Sequence, residues 1–407
     1  MKRGYKQTEV GVLPDDWELK PLGAIGRFKN GINKSAEDFG HGYPFVNLLD
    51  VFGKSKIRIN GDELGLVRSS HEERRAYDLK EGDVLFVRSS VKPDGVGLTT
   101  VIKDDLPDAV FSGFLLRFRD NGELVSGYKD HCFFQERFRR FLIARSTVSA
   151  NTNINQTALK DVFIWFPPNK NEQSAIATAL SDVDALLAGL DKLIAKKRDI
   201  KQATMQQLLT GKTRLPGFAG AWEVMRLGDL AEITMGRTPS RSISDNWGAG
   251  HVWLSIADMK GKFVLESKEE ITELAASGMT MVPAGTLMMS FKLSIGRLAF
   301  AGRPLYTNEA ICAFRQPKCN VEYLYYALSR VDFSLYGKQA VKGYTLNSES
   351  LRCVEVLVPN EKEQAGISSM LSDMDAELHQ LEAQREKTRL LKQGMMQELL
   401  TGRTRLV

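Results

Sequence analysis

Residues 172–215 read EQSAIATALSDVDALLAGLDKLIAKKRDIKQATMQQLLTGKTRL, and residues 363–406 read EQAGISSMLSDMDAELHQLEAQREKTRLLKQGMMQELLTGRTRL. The two stretches align without a gap at an offset of 191, and 23 of 44 positions are identical. A looser match extends upstream, where Trp165-Phe166-Pro167-Pro168 stands in for Val356-Leu357-Val358-Pro359 and Asn155-Gln156-Thr157-Ala158-Leu159 for Asn347-Ser348-Glu349-Ser350-Leu351. Each half also opens alike, with Trp17-Glu18-Leu19-Lys20-Pro21-Leu22-Gly23 matching Trp222-Glu223-Val224-Met225-Arg226-Leu227-Gly228. Between these anchors, residues 24–150 and 229–340 diverge almost completely. Two long repeats, rather than many short ones, predict a pseudo-twofold molecule and not a solenoid.

Both constant stretches read as long helices. Ile176, Leu180, Val183, Leu187, Leu190 and Ile194 recur at alternating spacings of four and three, as do Ile367, Leu371, Met374, Leu378 and Leu381. That is a coiled-coil seam. Proline stands before each helix (Pro168, Pro359), and a glycine suited to ending one follows each last apolar pair (Gly211, Gly402). Each helix is then ~36–40 residues, or ~55–60 Å at 1.5 Å per residue. Two similar seams of equal length predict that the helices pack on each other, antiparallel; packing of each helix on its own globular segment is the alternative. Met205, Met395 and Met396 read as exposed seam residues that need a covering surface. Gly211-Lys212-Thr213 resembles the end of a phosphate-binding loop, but Gln206 stands where that motif needs its first glycine, and a helix rather than a strand precedes it. A helix stop with basic residues at the negative dipole end accounts for both copies.

The variable segments read as mixed α+β domains of ~150 residues. Expected strands include Asp83–Arg88 and Gly285–Phe291, then Phe114–Phe118 and Ala310–Arg315. Expected helices include His131 to Ala144 and Val321 to Ser329. Basic and small polar residues interleave in the loops: Lys54, Lys56, Arg58, Arg68, Ser69, Ser70, His71, Arg74, Arg75, Arg88, Ser89, Ser90 and Lys92 in the first half, and Arg237, Thr238, Ser240, Arg241, Lys292, Ser294, Arg297, Lys342 and Tyr344 in the second. Arg and Lys hold phosphates, Arg pairs bidentately with guanine, and hydroxyls add further donors. Taken as a set on both halves they point to DNA contact; for any one residue, a solvated loop surface is the alternative.

Composition narrows the classes. The 407 residues carry 55 basic and 50 acidic side chains, a net charge of +5 that permits a nucleic-acid partner without requiring one. No apolar run approaches the ~18 residues of a membrane span. The N-terminus has no apolar core of a secretory signal, so a cytoplasmic location is expected. Cys132, Cys312, Cys319 and Cys353 form no CxxC pair, which argues against a zinc ribbon or disulfide scaffold. The five histidines, His41, His71, His131, His251 and His379, sit in unrelated contexts. The sequence carries no Asn-Pro-Pro-Tyr type tetrapeptide for base methylation, HExxH, GxSxG, Walker A or post-strand GxGxxG. Asp83 with Arg88, and Asp104 with Asp105, read as surface charge. No catalytic residue and no metal site is expected in this chain.

The Trp-Glu-x-x-x-Leu-Gly openings, Met235-Gly236-Arg237-Thr238-Pro239-Ser240 with His251-Val252-Trp253-Leu254-Ser255-Ile256-Ala257-Asp258-Met259, and the proline-led Glu-Gln starts of the long helices (Pro168 to Gln173, Pro359 to Gln364) together resemble the specificity subunit of type I restriction–modification enzymes. The resemblance covers essentially the whole chain. One departure is Gly31-Ile32-Asn33-Lys34-Ser35, which lacks the Gly-x-Thr-Pro-Ser form. The resemblance implies an α+β fold with two target recognition domains (1–168 and 216–359), separated by two long antiparallel coiled-coil helical spacers (169–215 and 360–407). It also implies a non-catalytic reader of double-stranded DNA. Each domain would recognise half of a bipartite site, and the helices would set the gap and dock two methyltransferase subunits. Restriction (motor) subunits would join them in defence against foreign DNA. S-adenosylmethionine, ATP and magnesium would belong to those partners, and no membrane is involved. Two readers meet two major grooves on one DNA face when their spacing suits the helical repeat, ~34–36 Å or a multiple. A protein scaffold with two variable adaptor domains and no DNA affinity is the alternative function.

Overall fold

The computed structural model describes residues 3–59, 62–148, 151–292, 294–340 and 343–406. The two constant stretches are helices of 39 residues each, Lys170–Leu208 and Glu361–Leu399. Asn169 and Asn360 satisfy free amides at their starts: Asn169 Oδ1 accepts from Asn171 N, and Asn360 Oδ1 from Glu363 N. Both end alike, with Gly211 and Gly402 at φ +67°, a left-handed conformation that favours glycine. Lys212 and Thr213 are exposed residues of this helix stop.

The chain divides into two compact units, Met1–Asp191 with Ala383–Val407, and Lys192–Glu382. Each therefore contains one variable domain, the first half of that domain's own helix and part of the other helix. In the first unit Asp184 pairs with Lys392 at 2.5 Å and Asp191 with Arg385 at 3.2 Å. In the second, Lys197 pairs with Glu377 at 2.6 Å, and Lys201 pairs with Asp375. Numbers rise on one helix as they fall on the other, so the helices run antiparallel within each unit.

The apolar seam serves two surfaces. Ile176 and Leu180 lie in the core of the first variable domain, and Ile367 and Leu371 in that of the second, with Met374 packed against it. Further along, Leu190, Ile194 and Leu378 are buried, while Val183, Leu187 and Leu381 are half-buried. The expectation that Met205, Met395 and Met396 stand exposed is overturned. Met395 and Met396, with Leu399 and Leu400, pack on the first core, and Met205, with Leu208 and Leu209, on the second. Their covering surface is the domain that the helix ends against.

Two side chains per repeat weld these parts. Gln173, fully buried, accepts from Val125 N at 2.8 Å and donates to Pro167 O at 2.9 Å; Gln364 repeats this with Asn320 N at 2.7 Å and Pro359 O at 2.8 Å. The neighbouring Glu172 and Glu363 side chains have no solvent exposure. Arg405 donates to both oxygens of Glu172 at 2.5 and 2.8 Å, and Arg214 to both oxygens of Glu363 at 2.6 Å. Each buried carboxylate at the start of one helix is thus neutralised by the arginine that follows the other. Arg405 also reaches Asp16, whose carboxyl it holds below the ordinary range, and lies over Trp17; Arg214 lies over Trp222. The Trp-Glu openings and the Thr-Arg-Leu ends are the two sides of one joint.

The variable domains share a topology that their sequences hide. In the first, a five-stranded sheet runs Gly26–Asn30, Leu115–Asp120, Val84–Val87, Thr99–Ile102, Lys56–Ile57, and a three-stranded sheet runs Val110–Phe111, Phe39–Val46, Gly65–Val67. In the second the orders are Glu232–Met235, Ile311–Arg315, Leu287–Ser290, Leu298–Ala301, Phe263–Val264, and Tyr306–Thr307, Trp247–Leu254, Glu269–Ile271. Parallel and antiparallel pairings match throughout. Even the irregularity recurs: Phe39 and Tyr43 both face Val67, and Trp247 and His251 both face Ile271.

One expected helix divides. His131 to Ala144 is two helices, Ser126–Cys132 and Glu136–Ala144. Gln135 is extended (φ −65°, ψ 136°) and its amide donates to Cys132 O, while the buried Phe133 ring packs edge-on against Phe86, Phe118 and Phe138. Phe133 itself stays helical, and the chain leaves the helix at Gln135. Asp83, expected at the surface, is 1% exposed and holds Arg119 at 2.6 Å.

Arg405→Ala strands a buried carboxylate and is expected to cost roughly 3–5 kcal/mol, as is Arg214→Ala in the other unit. Lysine at either site restores little, because it lacks the planar fork. Denaturation midpoints of the four variants check this; wild-type midpoints for the alanine pair would refute the clasp. A second expectation concerns acid. Burial holds His131, beside Ser181, near a pKa of about 4, with Asp184 and Asp130 opposing and Lys56 and Lys392 assisting. The unfolded chain takes up that proton near 6.5, so the contribution is complete above pH 6.5 and is lost as pH falls from 6.5 towards 4. His131→Gln should flatten this limb in a pH series of midpoints.

Candidate nucleic-acid interface

Backbone hydrogen bonds fix the register where the chain leaves the edge strands Gly26–Asn30 and Glu232–Met235 of the two five-stranded sheets. Gly31 N donates to Leu115 O and Gly236 N to Ile311 O, both at 3.1 Å. Ile32 N reaches Phe111 O and Arg237 N reaches Thr307 O, both at 2.8 Å. Gly31-Ile32-Asn33 and Gly236-Arg237-Thr238 therefore occupy one place despite the missing Thr-Pro-Ser form. Glycine is required there: a Cβ on Gly31 would lie 2.0 Å from Ser112 O, and on Gly236 2.1 Å from Thr307 O.

Several candidate cations of the first domain are already engaged. Lys56 pairs with Asp130 at 3.0 Å, a carboxylate that Lys103 shares. Arg74 stacks on Tyr43 at 3.6 Å, donates to Ser69 O at 2.6 Å and pairs with Asp108 at 3.0 Å, leaving its side chain 12% exposed. Ser69 is buried. Ser70 caps the helix His71–Ala76 in a reciprocal pair with Glu73, which Lys34 also holds at 2.8 Å. Lys56, Ser69 and Arg74 hold the loop from within, while Ser70 is exposed. Lys54 and Arg68 are exposed with partners Asp62 and Asp38; Arg58, His71 and Arg75 are exposed. Arg88 and Lys92 are exposed and make no ion pair among the described residues. Asp104 and Asp105 accept from the backbone of Ile59 and Glu81.

Ser89, Ser90 and Lys92 come together. Ser89–Ser90 pairs with Thr152–Asn153, and the loop beyond it forms one side of a cleft of about 570 Å³ that Phe52, Val91 and Phe114 complete. Sequence reasoning missed these three, because Phe114 opens an apolar run and reads as strand core. The strand in fact begins at Leu115, and Phe114 is 57% exposed.

In the second domain Arg237 is exposed, and its carbonyl accepts from Trp253 Nε1 at 3.0 Å. Thr238 donates to Glu309, lowering that carboxyl's pKa. Ser240 O accepts from Trp247 Nε1 at 3.2 Å. Arg241 lies 3.7 Å over Trp247 and grips Glu269 with two hydrogen bonds, at 2.5 and 2.9 Å, which hold the Glu269 carboxyl below its ordinary range. Lys292 is half-buried beside Phe291; Ser294 and Arg297 are exposed, and Arg297 donates to Ile256 O. Lys342 lies outside the described residues, and Tyr344 is on the strand Gly343–Thr345. His251 with Glu273 at 2.6 Å was not foreseen. Among the described residues no group of three or more His, Cys, Asp or Glu could hold a metal ion, and no helix is long and apolar enough to cross a membrane.

The model of the type I restriction modification DNA specificity domain matches residues 14–197 and again residues 220–390. The chain belongs to this family. A Methanocaldococcus jannaschii protein described as the specificity subunit of the type I restriction enzyme MjaX is 26% identical over 431 aligned positions, spanning 100% of this chain and 97% of the relative. The HindI specificity subunit of Haemophilus influenzae is 23% identical over 429 positions, spanning 85% of this chain and 90% of the relative. In fold, the chain is similar to the S subunit of a type I restriction–modification system from M. genitalium, with a TM-score of 0.57 at 16% identity, over 94% of this chain and 96% of that one. This specificity subunit is a DNA-recognition component and not the catalyst of its system.

Two groups of variants separate loop builders from presented cations. Lys56→Ala and Arg74→Ala should lower the denaturation midpoint, whereas Arg88→Ala and Lys92→Ala should leave stability within about 0.5 kcal/mol of wild type. Each of the latter should weaken DNA binding and reduce the salt slope by about one if it meets a phosphate; unchanged slopes would remove both from the interface.

Proposed function

We propose that each variable domain of this specificity subunit reads one half of a bipartite, asymmetric double-stranded DNA target. In this reading the antiparallel helices set the unspecified gap and dock two methyltransferase subunits. The observation that carries it is the pairing of one backbone topology with two unrelated loop sets on a repeated helical frame. One frame suits two equivalent docking events, and two loop sets suit two different half-sites. Restriction (motor) subunits join the complex for cleavage. S-adenosylmethionine for adenine methylation, and ATP with magnesium for cutting, act in those partners, in the cytoplasm. A DNA-free scaffold has no comparable support from the family match.

Co-expression with the methyltransferase subunit in a methylation-free host, followed by genome-wide mapping of modified adenine, tests this directly. The expected result is one split motif, two short specified blocks around a fixed gap. Exchange of residues 24–150 for those of a relative should alter one block only, and one helical turn inserted after Ile194 should lengthen the gap. A change in both blocks would defeat the modular reading, and an unchanged gap the spacer role.

A further inference from the structure

Backbone hydrogen bonds allow the two reading surfaces to be compared place by place. Arg88 N donates to Phe114 O as Phe291 N does to Ala310 O, and Arg88 O accepts from Ile154 N as Phe291 O does from Leu346 N. Phe114 and Ala310 therefore share one place, and Ser89 and Lys292 the next. A third place follows from the capping boxes: Asn47 with Asp50 and Ser255 with Asp258 start equivalent helical turns, which sets Phe52 against Lys260. The first domain has an exposed phenylalanine, a serine and a second exposed phenylalanine where the second has a buried alanine and two lysines.

The first cleft is thus an apolar surface open to solvent. Phe114 is 57%, Phe52 38% and Val91 82% exposed. Ser89, Ser90, Lys92 and Asp94 line the cleft too, and Arg88, which like Lys92 makes no ion pair among the described residues, stands in the same loop. Those cations suit a polyanion, but phosphates give three apolar side chains nothing to cover. On the base edges of a duplex the major groove offers one apolar group, the C5-methyl of thymine. Resting on the DNA-reading function above, we propose that this cleft selects thymine in the half-site of the first domain. Phe52, Val91 and Phe114 cover C5-methyl groups, and the serines pair with neighbouring edge atoms. At the matching places the second domain has Lys260, Lys292 and the buried Ala310 instead of exposed rings.

The test uses the complex of this chain with its methyltransferase subunits and the target mapped as above. Binding is compared on DNA in which thymines of one half-site at a time are replaced by deoxyuridine, which removes only the methyl. Replacement in one half-site should weaken binding about fourfold per covered methyl, and replacement in the other should change nothing. Phe114→Ala should narrow the difference between thymine and deoxyuridine DNA, and the combined Phe52→Ala, Val91→Ser and Phe114→Ala variant should bind the two equally. All three sites are exposed, so denaturation midpoints should stay at the wild-type value. Three results would overturn the proposal: equal wild-type binding to both DNAs, a first half-site without thymine on either strand, or a triple-variant complex that loses affinity yet discriminates the methyl as well as the wild type, as when the rings wedge between base pairs. Absence of any sequence-specific binding by the wild type would instead sink the DNA-reading function, and this proposal with it.

Discussion

The structure depends on two carboxylates that water cannot reach. Glu172 and Glu363 each open a 39-residue helix, and a charge so placed is tolerable only with a partner of opposite sign and good geometry. The partner comes from the far end of the other helix, Arg405 in one case and Arg214 in the other. A helix that must end where the other begins has a fixed length and direction. The antiparallel pairing, the equal helix lengths and the position of the glycine stops follow from that one requirement. The adjacent Gln173 and Gln364 extend it to the variable domains by binding Val125 and Asn320 at helix starts.

With the joint fixed, the domains are free to differ elsewhere. Their sheets keep one strand order, one register irregularity and one pair of glycines that no other residue could replace. Their cores use different residues to the same end: Phe86 and Leu116 in the first stand where Met289 and Cys312 stand in the second. Recognition then varies in short loops hung on an invariant backbone, which separates stability from specificity.

Much of this was legible in the sequence, because repeats, apolar spacing and terminal residues are local signals. The helix starts and stops lie within a few residues of Pro168, Pro359, Gly211 and Gly402. What was not legible depends on distant partners. Nothing near Lys56 announces Asp130, nothing near Arg74 announces Tyr43, and nothing near Asp83 announces Arg119. Lys56 and Arg74, which read as candidate DNA contacts, and Asp83, which read as surface charge, therefore each have a partner that the sequence does not show. The reverse error touched Phe114, whose apolar neighbours disguised an exposed ring. The division of the helix after Cys132 escaped notice because Phe133 fits an amphipathic pattern and a core filler equally well.

The core of the first unit contains Leu399 and Leu400, and Trp165 Nε1 donates to Leu400 O at 2.8 Å. During synthesis on the ribosome, the first domain emerges long before these residues exist. At ~5–20 residues per second it waits roughly 10–40 s, through the whole of the second half, before its last apolar contacts and its compensating arginine arrive. Glu172 is then without its arginine, and loss of Leu399, Leu400 and Arg405 disables the part of the chain that was made first.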